Sequence, residues 1–182
     1  MSLRNSVFIA TSLDGYIARE DGSIGWLDEA SATVPEGEDF GYNAFFESVD
    51  VLITGRKTFD QVLTFAEWPY ADKPVVVQTR RPLEVPERLA QVTPSAEEPR
   101  ALVQRLEAQG ARRAYVDGGV TIQRFLAAGL IDDLIITTIP ILLGKGIPLF
   151  GPLEQDVHLA HVSTQSYKCG FVQTTWRVVY TT

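Results

Sequence analysis

Short apolar runs alternate with segments of helical periodicity over most of the chain. The runs SVFIATS, VLIT, KPVVVQTRR, RRAYVDGG and DDLIITTIPILLG predict buried strands within residues 6–12, 51–54, 73–81, 112–119 and 132–144. Apolar residues at helical spacing predict helices within residues 39–50, 57–65, 95–110 and 120–129. Alternating strands and helices favour a mainly parallel sheet that is covered on both faces.

The C-terminal segment and the longest irregular stretch complete the predicted fold. Residues 157–182 are typical of an antiparallel hairpin, so we predict an α/β protein with a three-layer α/β/α arrangement and a mixed, mainly parallel sheet. We expect one domain over residues 1–182. Asp39 and Ser95 are candidate N-caps, whereas Gly110 and Gly129 end helices. Residues 12–39 predict a long irregular loop, and its apolar side chains indicate that it folds over something.

Composition narrows the classes of partner. The formal net charge is −7, which argues against a general nucleic-acid or membrane-surface binder but permits a local site for a small anion. No run of eighteen apolar residues predicts a membrane span, and the N-terminus does not resemble a secretory signal. The single cysteine, Cys169, cannot form an internal disulfide, so we expect a cytoplasmic protein in which Cys169 is a small structural residue.

Three predicted strands end in a similar way. One strand ends at GRKT (residues 55–58), one at TRR (79–81) and one at GGVT (118–121). Ligands of open α/β sheets bind at the carboxyl ends of parallel strands. Glycines let backbone N–H groups approach phosphates, and helix N-termini add partial positive charge. Together the three ends predict a site for a nucleotide with a pyrophosphate, where Arg80 and Arg81 could hold the 2′-phosphate of NADP.

Each of these features also has a plainer interpretation. A Gly-Gly pair between a strand and a helix is common turn chemistry, and Arg80-Arg81 before a proline could belong to a solvated loop. No metal site is expected, because His158 and His161 are three apart in a predicted strand and would point to opposite faces.

The order and spacing of several motifs resemble the dihydrofolate-reductase-like superfamily. ATSLDGYIA, GSIGWL, LITGRKTFD, VVVQTRR, YVDGGVTIQRFL and PILLGKGIPLF, taken together, are most similar to the reductase domain of the bifunctional riboflavin-biosynthesis deaminase-reductase. The resemblance covers nearly the whole chain, and it implies the dihydrofolate-reductase-like fold with NADPH as hydride donor. It also implies a homodimer.

The resemblance assigns roles to individual positions. The implied cofactor-binding residues are Ala10 and Trp26 beside the nicotinamide, Gly55, Arg56, Lys57 and Thr58 at phosphates and ribose, Thr79, Arg80 and Arg81 near the 2′-phosphate, and Gly118, Gly119, Val120 and Thr121 at the pyrophosphate. The implied substrate or catalytic residues are Asp14, Asp117, Leu143 and Gly144. Asp39 stands roughly where dihydrofolate reductase has its pterin-holding carboxylate. It could have a raised pKa and relay a proton, or it could simply cap a helix.

One departure concerns the substrate. The riboflavin-type reductase grips a ribose phosphate with arginines in and after the first long loop, but this chain has no Arg or Lys between Arg19 and Arg56. The segment is instead rich in Asp and Glu, which disfavours an anionic substrate. Lys145 is the one nearby cation that could compensate. We therefore predict an NADPH-dependent reductase of a small substrate such as a pyrimidine or a pterin. A binding protein without turnover on the same scaffold is the alternative.

Overall fold

An eight-stranded sheet forms the centre of the molecule in the computed structural model, which describes residues 2–180. The described residues contain ten strands: β1 (Arg4–Ser12), β2 (Tyr16–Ala18), β3 (Val51–Gly55), β4 (Val75–Gln78), β5 (Val92–Ser95), β6 (Arg113–Val116), β7 (Asp133–Ile139), β8 (Ile147–Pro148), β9 (His158–Ser166) and β10 (Val172–Val179). β2 and β8 pair in a separate small sheet, and the other eight form the central sheet. In the order β5-β4-β3-β6-β1-β7-β10-β9, the first six strands are parallel and the last two antiparallel. The predicted mainly parallel sheet with a C-terminal antiparallel hairpin is confirmed.

Helices cover both faces of this sheet. They are α1 (Gly25–Ser31), α2 (Tyr42–Glu47), α3 (Arg56–Val62), α4 (Pro99–Ala108) and α5 (Gly119–Ala127), with a 3₁₀ turn at Glu87–Leu89. Because side chains alternate along a strand, Ile53 packs with α4 and α5 on one face, whereas its neighbour Leu52 packs with α2 and α3 on the other. These two cores produce the predicted α/β/α layering.

The segment around Ser95 differs from the sequence prediction. Residues 92–95 form β5, and α4 begins at Pro99 rather than just after Ser95. The Ser95 hydroxyl does bind locally, because it donates to the Glu97 carboxylate and accepts from the Glu97 N–H. This short-range bonding belongs to a turn, while proline at the first helical position starts the helix.

The stretch predicted as a long irregular loop contains regular structure. It holds β2, which pairs with β8, and α1, which begins at Gly25. Trp26 is 2% exposed and packs with Ile139 and Phe171 against the end of the main sheet. The expectation that this stretch folds over another part of the molecule is therefore confirmed, and the expectation of an irregular loop is wrong.

The topology brings distant segments to one edge of the sheet. The carboxyl ends of the six parallel strands meet there, and β6 lies between β1 and β3, which come much earlier in the chain. β9 is an exposed strand at one side of the central sheet and could pair with a second copy of the chain. The expected homodimer stays a prediction. No helix within residues 2–180 is long and apolar enough to cross a membrane.

Candidate functional site

Two glycines bring the ends of β3 and β6 into contact. A Cβ on Gly118 would lie 2.6 Å from Thr58 Oγ1 and 3.6 Å from the Gly55 backbone N, and one on Gly55 would lie 2.9 Å from Thr121 Oγ1. Gly118 also has a φ of +89°, which side chains rarely allow. The predicted residues Gly55, Thr58, Gly118 and Thr121 therefore form one cluster, because no side chain separates the two strand ends.

The two helices that leave this cluster have free N-termini. α3 begins immediately after Gly55 and α5 begins at Gly119. No side chain in residues 2–180 makes a capping hydrogen bond to either helix, and neither has an acidic residue in its first turn. The first N–H groups of a helix need partners and carry partial positive charge. The edge thus presents two adjacent sets of N–H donors that suit an anion.

Gly119, the second glycine of the turn after β6, packs against the small sheet of β2 and β8. A Cβ on Gly119 would lie 2.8 Å from Ile17 Cδ1 of β2 and 3.6 Å from Ile147 Cγ2 of β8. Val120 is 67% exposed, although it is apolar. The turn is therefore packed on one side and open on the other, beside a surface where a ligand could lie.

The cations after β3 and β4 are linked across this edge. Arg56 Nη1 donates to the Pro82 carbonyl at 2.9 Å, and its Nε donates to Asp60 at 2.8 Å. This contact ties the start of α3 to the loop that carries Arg81. Thr79 Oγ1 bonds the Arg81 backbone and shapes the same loop, while Lys57 is exposed. The structure therefore places the predicted arginines of both strand ends on one rim.

One group of residues on the rim escaped sequence analysis. The Glu98 carboxylate accepts from Arg80 Nη2 at 2.7 Å and from Arg124 Nη2 at 3.0 Å, one arginine on each oxygen. The two arginines, mainly Arg80, lower the pKa of Glu98. Arg124 also donates to Gln78 Oε1 at 3.4 Å, beside a cleft of about 140 Å³. A sequence signal for Arg124 exists, because it lies one helical turn after Val120 in α5.

Asp117 is the half-buried acid of the rim. It follows β6 and is only partly exposed, and the one hydrogen bond that the described residues give its carboxylate comes from Gly118 N–H at 2.8 Å. Burial raises the pKa of Asp117 to about 6, and the Gly118 bond opposes that rise only in part. Burial, with a smaller contribution from the Asp117 charge, raises the pKa of nearby Tyr42 to about 12. Asp117 can therefore hold a proton in mildly acidic solution.

Asp14 has a different environment. Its carboxylate accepts from Ser12 Oγ at 2.6 Å, Leu143 N at 3.1 Å and Gly144 N at 2.7 Å. The Ser12 hydroxyl, then the two backbone N–H groups, lower the pKa of Asp14. The structure brings the predicted substrate residues Asp14, Leu143 and Gly144 together, but their polar groups bind one another. We call this contact the Asp14 clasp. Lys145, beyond it, pairs with Glu20 at 3.0 Å.

Asp39 is not the predicted N-cap of α2, because the helix begins at Tyr42 with Gly41 as its N-cap, but the Asp39 carboxylate still bonds the start of the helix. Its carboxylate accepts from Asn43 N at 3.0 Å and Gly41 N at 2.9 Å, just ahead of and inside α2. These bonds lower the pKa of Asp39, which contradicts the alternative of a proton-relaying acid with a raised pKa. The physical reason is that two N–H donors stabilise the ionised form more than the slight burial disfavours it.

An apolar cleft of about 160 Å³ opens beside the end of β1. Its lining residues are Phe8, Ile9, Ala10, Leu27, Ser31, Phe40, Thr137, Ile139 and Phe171. Ala10 thus lines a cleft, as the nicotinamide prediction requires, whereas Trp26 lies behind it in the same apolar cluster. The indole Nε1 of Trp26 is buried without a hydrogen-bond partner among residues 2–180. Asp117 does not line this cleft.

Metal chemistry has no visible support in the described part of the chain. No group of three or more His, Cys, Asp or Glu residues within residues 2–180 is arranged to hold a metal ion. The groups that the site does present are N–H donors, arginines, one acid with a raised pKa and an apolar cleft.

The fold and the rim define a class of α/β protein with the dihydrofolate-reductase-like fold. A solved structure of dihydrofolate reductase from Enterococcus faecalis, complexed with NADP(H), matches with a TM-score of 0.63 at 17% identity. The match covers 98% of this chain and 99% of the other. The predicted fold is confirmed. More specifically, the RibD C-terminal domain family matches residues 6–173, and this chain belongs to that family.

Two relatives are similar over nearly their full length. A solved structure from Shewanella sp. PV-4, whose name assigns it provisionally to riboflavin biosynthesis, is 41% identical with a TM-score of 0.88. That match covers 99% of this chain and 100% of the other. Uncharacterized protein YwjB of Bacillus subtilis (strain 168) is 39% identical over 170 residues, which is 92% of this chain and 94% of YwjB.

Proposed function

We propose that this protein is an NADPH-dependent reductase that reduces a C=N or C=O bond of a small heterocyclic substrate. The observation that supports it best is the cluster of Gly55 and Gly118, from which two uncapped helices start side by side. Such a cluster suits a pyrophosphate, and Arg80 and Arg81 on the same rim suit a further phosphate. Membership of the RibD C-terminal domain family supports a reductase role.

The residues present fit the cofactor without a change of fold. Gly55, Thr58, Gly118 and Thr121 would hold the pyrophosphate, and Ala10 would lie beside the nicotinamide. Bound NADPH would supply the hydride, and the substrate heteroatom would then need a proton. Asp117 is the acid suited to hold that proton, because its pKa is raised to about 6. The proton would pass through water, since Asp117 does not line the apolar cleft.

The cleft favours a flat substrate without a phosphate. Its lining includes Phe8, Phe40 and Phe171, and Phe40 stacks on Phe171 with ring centroids 5.3 Å apart. Phe40 also packs on Tyr167, whose pKa is raised by burial and then by the charges of Glu38 and Asp39. An aromatic cleft beside carboxylates should accept an uncharged ring and repel a ribose phosphate.

Titration with NADPH and NADH tests the cofactor assignment. Changing both Arg80 and Arg81 to Ala should weaken NADPH at least about ten-fold, because two charge-assisted contacts are lost, and should change NADH little. Arg88→Ala is a matched control on the nearby 3₁₀ turn. If the native protein binds no NADPH at high micromolar concentration, the proposal fails.

Turnover separates the reductase from a binding protein. NADPH oxidation should be followed with pterins, pyrimidines and small carbonyl compounds, and with one pyrimidine nucleoside beside its 5′-phosphate. The nucleoside should be accepted better than its phosphate, since the cleft is flanked by acids. Tight NADPH binding without reduction of any of these compounds would favour the binding protein. Preference for the phosphate would overturn the proposed substrate class.

A further inference from the structure

Glu98 occupies a position on the rim where two arginines from separate elements bind one carboxylate. Its two carboxylate oxygens are shared between Arg80, after β4, and Arg124, on α5. The three side chains come from separate elements, so the fold alone brings them together. Resting on the proposed function, we infer that the Glu98 carboxylate stands in for the cofactor's 2′-phosphate and competes with it for Arg80 and Arg124.

The geometry makes Glu98 displaceable. Its side chain is 65% exposed, and that of Arg80 is 77% exposed, so solvent screens their attraction strongly. A phosphate dianion carries more charge and one more acceptor oxygen than a carboxylate, and arginine binds it through two parallel hydrogen bonds. The phosphate should therefore replace Glu98, although at reduced apparent affinity.

The same contact predicts how the protein discriminates between cofactors. NADH has no 2′-phosphate, so it does not need to displace Glu98. NADPH must exchange one anion for another before it gains its extra contacts. Glu98 therefore reduces the ratio of NADPH affinity to NADH affinity. Arg124 becomes a further phosphate-binding residue beside Arg80 and Arg81.

Glu98→Gln provides the test, with Glu97→Gln as its matched control. The Glu97 carboxylate is held by Arg105 and Ser95 instead, so this neighbouring change removes the same charge without freeing Arg80 or Arg124. Binding of NADPH, NADH and adenosine 2′,5′-bisphosphate should be measured for both variants and the native protein. The third probe carries the relevant phosphate without a nicotinamide.

We expect Glu98→Gln to tighten NADPH and the bisphosphate about three- to ten-fold at low ionic strength, with a smaller gain at high salt. NADH and the Glu97→Gln variant should stay within about two-fold of the native values. Arg124→Gln should weaken the bisphosphate while the affinity for NADH is retained.

The outcomes separate the two proposals. If NADPH binds but Glu98→Gln leaves its affinity unchanged or lowers it, the role of Glu98 is overturned and the cofactor assignment stands. If neither NADPH nor the bisphosphate binds to the native protein or to Glu98→Gln, both proposals fail.

Discussion

One acid lies at the amino ends of the parallel strands (the amino edge) and another at their carboxyl ends (the carboxyl edge), and the two acids have opposite environments. At the amino edge, Asp133 is 3% exposed, and its carboxylate accepts from Arg4 at 2.6 Å, Ser6 at 3.0 Å and Arg113 at 3.4 Å. At the carboxyl edge, Asp117 receives one bond from Gly118 among the described residues. The polar side chains at the amino edge bind one another, whereas the acid and the helix N-termini at the carboxyl edge keep hydrogen-bonding capacity for a ligand.

This difference indicates where stability and activity reside. A buried charge that is fully paired has no capacity left for a substrate, and removing one member of the pair destabilises the fold strongly. A buried acid with few partners destabilises the fold and can exchange a proton near neutral pH. Substitutions at the two edges should therefore have opposite consequences.

The largest expected effect is on turnover in Asp117→Asn. If Asp117 supplies the proton, this variant should lose about 100-fold or more in kcat, because general acids typically contribute that much. Native kcat should fall as pH rises above about 6, the raised pKa of Asp117, and the variant should lack this dependence. Steady-state rates between pH 5 and pH 8 (about unit steps) test this point. Unchanged turnover would exclude Asp117 as the acid.

The same variant should gain stability. Because the pKa of Asp117 is higher in the folded protein than its ordinary value of 3.8, the native protein loses stability as pH rises from about 4 through about 6. Asparagine keeps the acceptor for Gly118 N–H but cannot ionise. At neutral pH the free energy of unfolding should rise by about 2 to 3 kcal/mol, measured by denaturant titration. A decrease would show that the ionised carboxylate stabilises the fold.

Asp133→Asn should act in the reverse sense. It leaves Arg113, whose side chain is 21% exposed, without a paired charge, and should lower the free energy of unfolding by about 3 kcal/mol. The kcat of the protein that remains folded should be nearly native, since Asp133 lies at the edge away from the site. A large loss of kcat with native stability would contradict the division between the two edges.

The smallest expected effect concerns the Asp14 clasp. Asp14→Asn should lower the melting temperature slightly, because an amide accepts more weakly than a carboxylate from Ser12, Leu143 and Gly144. Asp21→Asn is the matched control, since Asp21 lies in the same stretch and its carboxylate accepts from Ser23 N–H. If Asp14→Asn abolishes turnover at unchanged stability, Asp14 contacts the substrate and the clasp is secondary.

Much of the architecture was predictable because it depends on local patterns. The buried runs behind β1, β3, β4, β6 and β7 are apolar and short, and Gly55 and Gly118 mark strand ends directly in the sequence. β5 was missed because its four residues include Pro94 and only one large apolar side chain. β2 and β8 were missed because they are very short and exist through pairing with each other.

The site was predictable in its glycines and arginines but not in its pairings. Nothing local to Glu98 shows that its carboxylate will meet Arg80 and Arg124, since these residues meet only through tertiary structure. The direction of the pKa shift of each acid could not be predicted from the sequence either. Asp39 and Asp117 are both aspartates next to a glycine-containing turn, yet backbone donors lower the pKa of one and burial raises that of the other.

The position of β1 also has a consequence for biosynthesis. Ser6 of β1 bonds Arg113 of β6 and Asp133 of β7, residues 107 and 127 positions further along the chain. During synthesis β1 therefore has no neighbour in the central sheet until β6 has been made, and Ser6 and Arg113 are 107 positions apart. The apolar residues of β1 have no partner strand in the central sheet to cover them during that interval. Slow loop closure, rather than weak cohesion of the finished sheet, should thus limit how fast newly made chains become native.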